Sequence, residues 1–160
     1  MCWQCDHPGS TTEDYLDELH SKVLKNGWAV QYIESDRRPF AYTVGLTQRG
    51  LPELLVTGVV PRRAVRMLNS AAQQALEVGT PSPGMRFTLS IGRHVELVEI
   101  NHPDVHLKFA VALYGPLRAL QLVWADERDR WPWSADFDDG RGTQPVLGMR
   151  AEGENRRRGG

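Results

Sequence analysis

The sequence predicts an α+β fold, an antiparallel-rich sheet of about six strands with two main helices and one short helix packed on one face. Three observations predict it. Two stretches carry helical periodicity bounded by start and stop signals. Two pairs of strand-like segments flank short turns, as hairpins do. The helices stand singly between those hairpins instead of following every strand, so repeated βαβ units are not expected.

Taken in chain order, Ser10 to Asn26 reads as the first helix. Ser10 and Glu13 have capping-box spacing, Leu16, Leu19 and Val23 recur at helical intervals, and Gly27 stands where a C-terminal cap belongs. Trp28 to Ser35 reads as a strand with Trp28, Val30 and Tyr32 on one face. A turn at Asp36-Arg37-Arg38-Pro39 leads into a second strand, Phe40 to Leu46. Leu54 to Val60 is apolar on both faces apart from Thr57, which suits a central strand. Pro61 opens the second helix, with Val65, Leu68, Ala72 and Leu76 as its stripe and Gly79 as its close.

Met85, Phe87, Leu89 and Ile91 alternate with Arg86, Thr88 and Ser90, the period of a half-buried strand. Gly92-Arg93 then turns the chain into another strand near His94 to Ile100. A short helix from Pro103 to about Leu113 and a last strand from Leu117 to Trp124 complete the set. One domain is expected over residues 1–149. Residues 150–160 are polar, glycine-rich and basic, and are expected to form a disordered tail because they lack apolar area to offset ordering entropy.

Bulk properties narrow the function classes. The chain has 160 residues, 41% of them hydrophobic, enough for a core without disulfide staples. Its apolar runs fall far short of the ~20 residues a spanning helix needs, so no membrane partner is expected. A formal net charge of -1 makes nucleic acid an unfavoured partner, while homo-oligomerisation stays open. Asp6, Glu13 and Asp14 stand in the first fifteen residues without a lysine or arginine, so a secretory leader is not expected and the cytoplasm is the expected compartment.

The sharpest local feature is Cys2-Trp3-Gln4-Cys5-Asp6-His7. Two thiols three residues apart can meet one tetrahedral ion at ~2.3 Å, and an imidazole can add a third bond at ~2.0 to 2.1 Å. The fourth donor must come from elsewhere. His102 and His106, four residues apart at a helix start, are the candidates, with His94 behind them. Cys2, Cys5, His7, His102 and His106 are therefore expected metal ligands, with zinc as the cofactor. A redox dithiol is the competing use, although no strand precedes Cys2 as a thioredoxin-like site requires. The plainest reading is that Cys5 packs as a small hydrophobe beside a frayed terminus.

A second set consists of polar or amphipathic residues in apolar strands. Gln31, Tyr42, Tyr114, Gln121 and Trp124 are expected to line a small-molecule pocket or else to be partnered in the core. His94, Glu96 and Glu99 offer acid–base groups, but strand alternation sends Glu96 and Glu99 to opposite faces. Asp136-Phe137-Asp138-Asp139-Gly140 lacks calcium-loop spacing, and Arg156-Arg157-Arg158 reads as a solvated run.

Several blocks together resemble the bacterial domain-of-unknown-function family numbered 4262. They are Cys2-Trp3-Gln4-Cys5-Asp6-His7-Pro8, Gly27-Trp28-Ala29-Val30-Gln31, Phe40-Ala41-Tyr42-Thr43-Val44-Gly45-Leu46 and Pro52-Glu53-Leu54-Leu55-Val56-Thr57-Gly58. Further along come Tyr114-Gly115, Gln121-Leu122-Val123-Trp124, Trp131-Pro132-Trp133 and Gln144-Pro145. The resemblance spans nearly the whole chain, to about Gly148, and implies no reaction or cofactor. Where members often read Gly-His-Pro-Glu-Leu, this chain has Gly50-Leu51-Pro52-Glu53-Leu54, so any role of that histidine is absent. The leading expectation is a non-enzymatic metal-binding or thiol-based accessory protein. A small-molecule binder or enzyme, and an interaction module without ligand, are the alternatives.

Overall fold

A computed structural model describes residues 11–34, 39–141 and 144–151. The expected turn at Asp36 to Arg38, the Cys2–His7 cluster and the terminal residues 152–160 lie outside the described residues. Helix α1 covers Thr12–Asn26 and is capped by Thr11, whose hydroxyl accepts from the Asp14 N–H while the Asp14 carboxylate accepts from the Thr11 N–H. The box is thus one residue later than Ser10 and Glu13, with the same spacing. Strands β1 (Ala29–Ile33) and β2 (Phe40–Val44) form the first hairpin, Gln31 opposite Tyr42. A 3-10 turn, Leu46–Arg49, leads to β3 (Glu53–Thr57), and α2 follows at Pro61–Val78.

The second hairpin joins β4 (Arg86–Thr88) to β5 (His94–Glu99). β4 is shorter than the alternation predicts, because Leu89 already belongs to the turn, its N–H donating to the Arg93 carbonyl. The expected short helix is two pieces, α3 (Pro103–His106) and α4 (Lys108–Tyr114), broken at Leu107, which turns fully inward. β6 (Ala119–Trp124) closes the sheet, whose order is β1-β2-β3-β6-β5-β4.

The fold class is α+β as expected, with two corrections of detail. The sheet is mixed: β3 and β6 pair in parallel, and the other pairings are antiparallel. The helices also do not share one face. β2, β3 and β6 carry apolar side chains on both surfaces, and each surface needs cover. Ala41, Leu54, Val56, Leu120 and Leu122 pack against Met67, Leu68, Ala71 and Ala72 of α2. Tyr42, Val44, Leu55 and Ala119 face the other way, against Tyr15, Leu19 and Val23 of α1 and Ala110 of α4. The stripe of α2 is rotated from the expected one: Val65 is exposed, and alanines at 64, 71, 72 and 75 bring the helix close to the sheet.

The second face is completed by the segment after residue 143. Leu147 packs with the α1–α4 cluster, its carbonyl accepts from the Asn101 N–H at 3.0 Å, and Gly148 lies against the end of β5. A Cβ on Gly148 would stand 1.9 Å from the Glu99 carbonyl oxygen, so only glycine permits this approach. Beyond the expected domain limit at 149, Arg150 is docked on the buried Glu96. Among the described residues no helix is long and apolar enough to cross a membrane.

Candidate functional site

The most densely bonded polar group in the sheet is Glu53, which is fully buried at the start of β3. One carboxylate oxygen accepts from the Thr43 hydroxyl at 2.7 Å and the Leu46 N–H at 3.2 Å. The other accepts from the N–H groups of Gly45 (3.1 Å) and Thr47 (2.9 Å) and from the Thr47 hydroxyl at 2.6 Å. Sequence reasoning placed Glu53 just before an apolar strand and did not foresee this. The carboxylate organises the corner after β2, where Gly45 has φ +127 and a Cβ would meet Val23 at 2.9 Å.

The five residues expected to line one pocket do not converge. Tyr42 is buried on the α1–α4 face, and its hydroxyl accepts from the Phe109 N–H at 3.1 Å. Burial pushes its phenol well above the usual range. Gln31, across from it on β1, accepts from the Tyr15 hydroxyl. Tyr114 has a hydroxyl buried without a partner among the described residues, and burial, then the charge of Glu53, raises its pKa.

Gln121 lies farther along the same face, under the 144–148 segment. Its amide donates to the Thr57 hydroxyl at 3.2 Å and the Pro145 carbonyl at 2.8 Å, and its oxygen accepts from the Leu147 N–H at 2.8 Å. Trp124 belongs to the opposite cluster. Its indole donates to the Thr57 carbonyl at 2.9 Å, and the Gln144 amide spans its backbone N–H and carbonyl. Tyr42 and Gln121 thus act as core fastenings, whereas Trp124 also borders a cavity.

Of the candidate histidines among the described residues, His94 opens β5 and His102 and His106 follow its far end. His94 pairs with the Thr88 hydroxyl at 2.8 Å and lies 3.6 Å from Asp129. His102 is exposed, in a left-handed conformation before α3. His106 is half-buried, edge-on to Phe40 at 6.2 Å. Burial lowers its pKa, Asp104 opposes the shift and His102 adds to it. Among the described residues no three His, Cys, Asp or Glu side chains are grouped to hold a metal ion. Cys2, Cys5 and His7 lie outside the described residues.

The carboxylates expected as acid–base groups are paired. Glu96, buried, accepts from Arg86 at 2.7 Å and Arg150 at 2.9 Å. Its burial would raise the pKa, but the two guanidiniums outweigh that and lower it. The same arginines cap a stacked pair of indoles, Arg86 over Trp131 at 4.6 Å and Arg150 over Trp133 at 3.9 Å. Glu99, partly exposed, is bound by Arg118 at 2.8 Å.

Asp126 fastens the loop after β6. It accepts from the N–H groups of Arg128, Arg130 and Asp138 and from the Arg130 guanidinium at 2.8 Å. Burial pushes its carboxyl up, and these donors together overcome that and bring it down to about 2. A depressed carboxylate stabilises the fold above its ordinary value near 3.8 and loses that contribution as pH falls towards 2. Wild-type stability is therefore expected to drop between those pH values, and Asp126→Asn to show a shallower drop. Acid titration of the chemical-denaturation midpoint checks this, and identical slopes for both proteins contradict it.

A family model described as Domain of unknown function (DUF4262) matches residues 22–138, which include His102 and His106 and begin after the Cys2–His7 cluster. No curated protein and no solved structure matches the chain.

Proposed function

The chain belongs to the family described as Domain of unknown function (DUF4262), and we propose that it is a non-enzymatic metal-binding accessory protein. In this reading Cys2, Cys5 and His7 hold a zinc ion, and His106 supplies the fourth donor, with His102 as its neighbour on the same turn. The supporting observation is where His106 stands. Tyr15, in the first turn of α1, lays its ring 4.7 Å from Phe109, three residues after His106. The Phe109 N–H meets Tyr42, whose ring stacks on Phe40, and Phe40 meets the His106 imidazole. The beginning of α1 and His106 therefore share one aromatic cluster.

Eight residues lie between Cys2 and Thr11, a reach of at most ~32 Å when extended. A neutral imidazole is the form that donates to a metal, and two thiolates with two imidazoles make a closed tetrahedral shell suited to a structural ion. Such an ion would tie the amino-terminal segment to α3 and add its binding free energy to folding.

Protein purified without an affinity tag is expected to contain about one zinc per chain by elemental analysis. Cys2→Ala/Cys5→Ala should abolish it, and His106→Ala should let a chelator strip it faster. Metal-free wild-type protein, or zinc retained by the double cysteine variant, overturns the proposal. A second reading, small-molecule binding, is favoured by one observation: Trp124 lines a cavity of about 390 Å³ that is rich in arginine.

A further inference from the structure

The cavity beside Trp124 is bounded by the first turn of α2, the β4–β5 turn and the loops that follow β6. Five arginines reach it: Arg63, Arg93, Arg128, Arg130 and Arg141. Four carboxylates line it as well, Asp126, Glu127, Asp138 and Asp139, so charge alone decides little. The pairing decides more. Arg130 takes Asp126 at 2.8 Å and Asp139 at 3.0 Å, and Arg128 stands 3.8 Å from Asp139. The low carboxyl pKa of Asp126 and the lowered one of Asp139 reflect this use.

Arg63, Arg93 and Arg141 form no ion pair among the described residues. Arg93 is held in place all the same. It donates to the Ala125 carbonyl at 3.1 Å, and its guanidinium lies 5.5 Å from the centre of the Trp124 ring. Arg63 follows Pro61 at a helix start with no acidic residue in the first turn, where a cation is disfavoured by the helix dipole unless an anion accompanies it. Three guanidiniums without an ion-pair contact among the described residues thus border a cavity of metabolite size, one of them fixed by an indole and a carbonyl, while Arg141 acts on Asp139 only through its charge.

We propose that this cavity is a binding site for a small phosphorylated molecule, its dianionic phosphate held among Arg63, Arg93 and Arg141. Guanidinium forks match phosphate oxygens two at a time, and each charge-assisted pair is stronger than a neutral hydrogen bond. A volume of about 390 Å³ admits a phosphate with a modest organic portion. A nucleic-acid backbone is the less suitable source of the same chemistry, because the chain carries a net charge of -1 and a run of phosphates needs a basic surface. The site is independent of the amino-terminal metal proposal.

The test uses the full chain with inorganic phosphate and adenosine monophosphate, followed by calorimetry and thermal shift. Both probes are expected to bind saturably, and Arg63→Ala/Arg141→Ala to weaken binding at least about tenfold. Both side chains are exposed, so the melting temperature without ligand should hold. Arg62→Ala, on the same helical turn but outside the cavity, should bind as wild type. Zinc content should be unchanged in every arginine variant, which separates this outcome from the fate of the metal proposal. No saturable binding, equal binding by the double variant, or preference for a duplex oligonucleotide overturns the proposal.

Discussion

Glu53→Ala is expected to destabilise the protein by about 3–5 kcal/mol, since it leaves several buried donors without an acceptor at once. The three backbone N–H groups of Gly45, Leu46 and Thr47 have no other partner among the described residues, and the Thr43 hydroxyl, which itself accepts from the Leu54 N–H at 2.9 Å, loses its anchor. For a domain of this size the loss corresponds to a fall in Tm of roughly 10 °C. Glu53→Gln should cost less, about 2–3 kcal/mol, because one oxygen still serves Thr43 and Leu46 while the amide nitrogen faces two N–H groups. Thermal and urea unfolding of both variants checks the order. A Glu53→Ala protein melting within about 2 °C of wild type would contradict this assignment.

Gln121→Leu is expected to cost about 2–3 kcal/mol and to act at a distance in sequence. The leucine keeps the volume of the fully buried side chain but strands the Leu147 N–H and leaves the Pro145 carbonyl with the Thr57 hydroxyl, at 2.7 Å, as its remaining donor. Pro145 and Leu147 belong to the segment that seals the second face of the sheet. Its other fastenings, Gln144 on Trp124 and Leu147 on Asn101, hold the same short stretch, so they should loosen together. Amide hydrogen exchange is the direct readout. Leu147 should exchange faster by roughly thirtyfold, the factor equivalent to 2 kcal/mol, while Leu68 and Met67 in α2 change only with global stability. Uniform change across the chain, with no excess at residues 144–148, would show that Gln121 is not a local clasp.

These two residues show what the sequence makes legible. Helix limits were readable because their signals are local: Pro61 and Gly79 bracket α2, and Gly27 follows α1. Alternation likewise exposed the inner face of β1, where Trp28, Val30 and Tyr32 pack together. The parallel pairing of β3 with β6 was not readable, because it joins segments more than sixty residues apart and leaves no local pattern. The break at Leu107 was hidden too, since Pro103 to Leu113 contains no glycine or second proline. Helices on both faces follow from the two-sided apolar run at Leu54 to Val56, since each surface of such a strand needs cover.

The candidate site was legible in composition more than in geometry. Gln31, Tyr42 and Gln121 stood out as polar groups in apolar strands, and each has a hydrogen-bond partner inside the protein. What distinguishes lining from fastening is the partner, which sequence does not name. Trp124 is the one of the five that borders the arginine cavity. Arg63, Arg93 and Arg141 were invisible as a set, being spread over nearly eighty residues and gathered only by the packing of α2 beside the β4–β5 turn and the loops after β6. His106 was singled out by its spacing from His102, and the structure adds the aromatic cluster that relates it to the start of α1.

The proposed metal centre is tested most directly by X-ray absorption at the zinc edge on the full-length protein. Two sulfur donors at ~2.3 Å and two nitrogen donors at ~2.0 to 2.1 Å are predicted, with one nitrogen lost or replaced by oxygen in His106→Ala. A shell without sulfur, or one unaltered in that variant, would contradict the assignment.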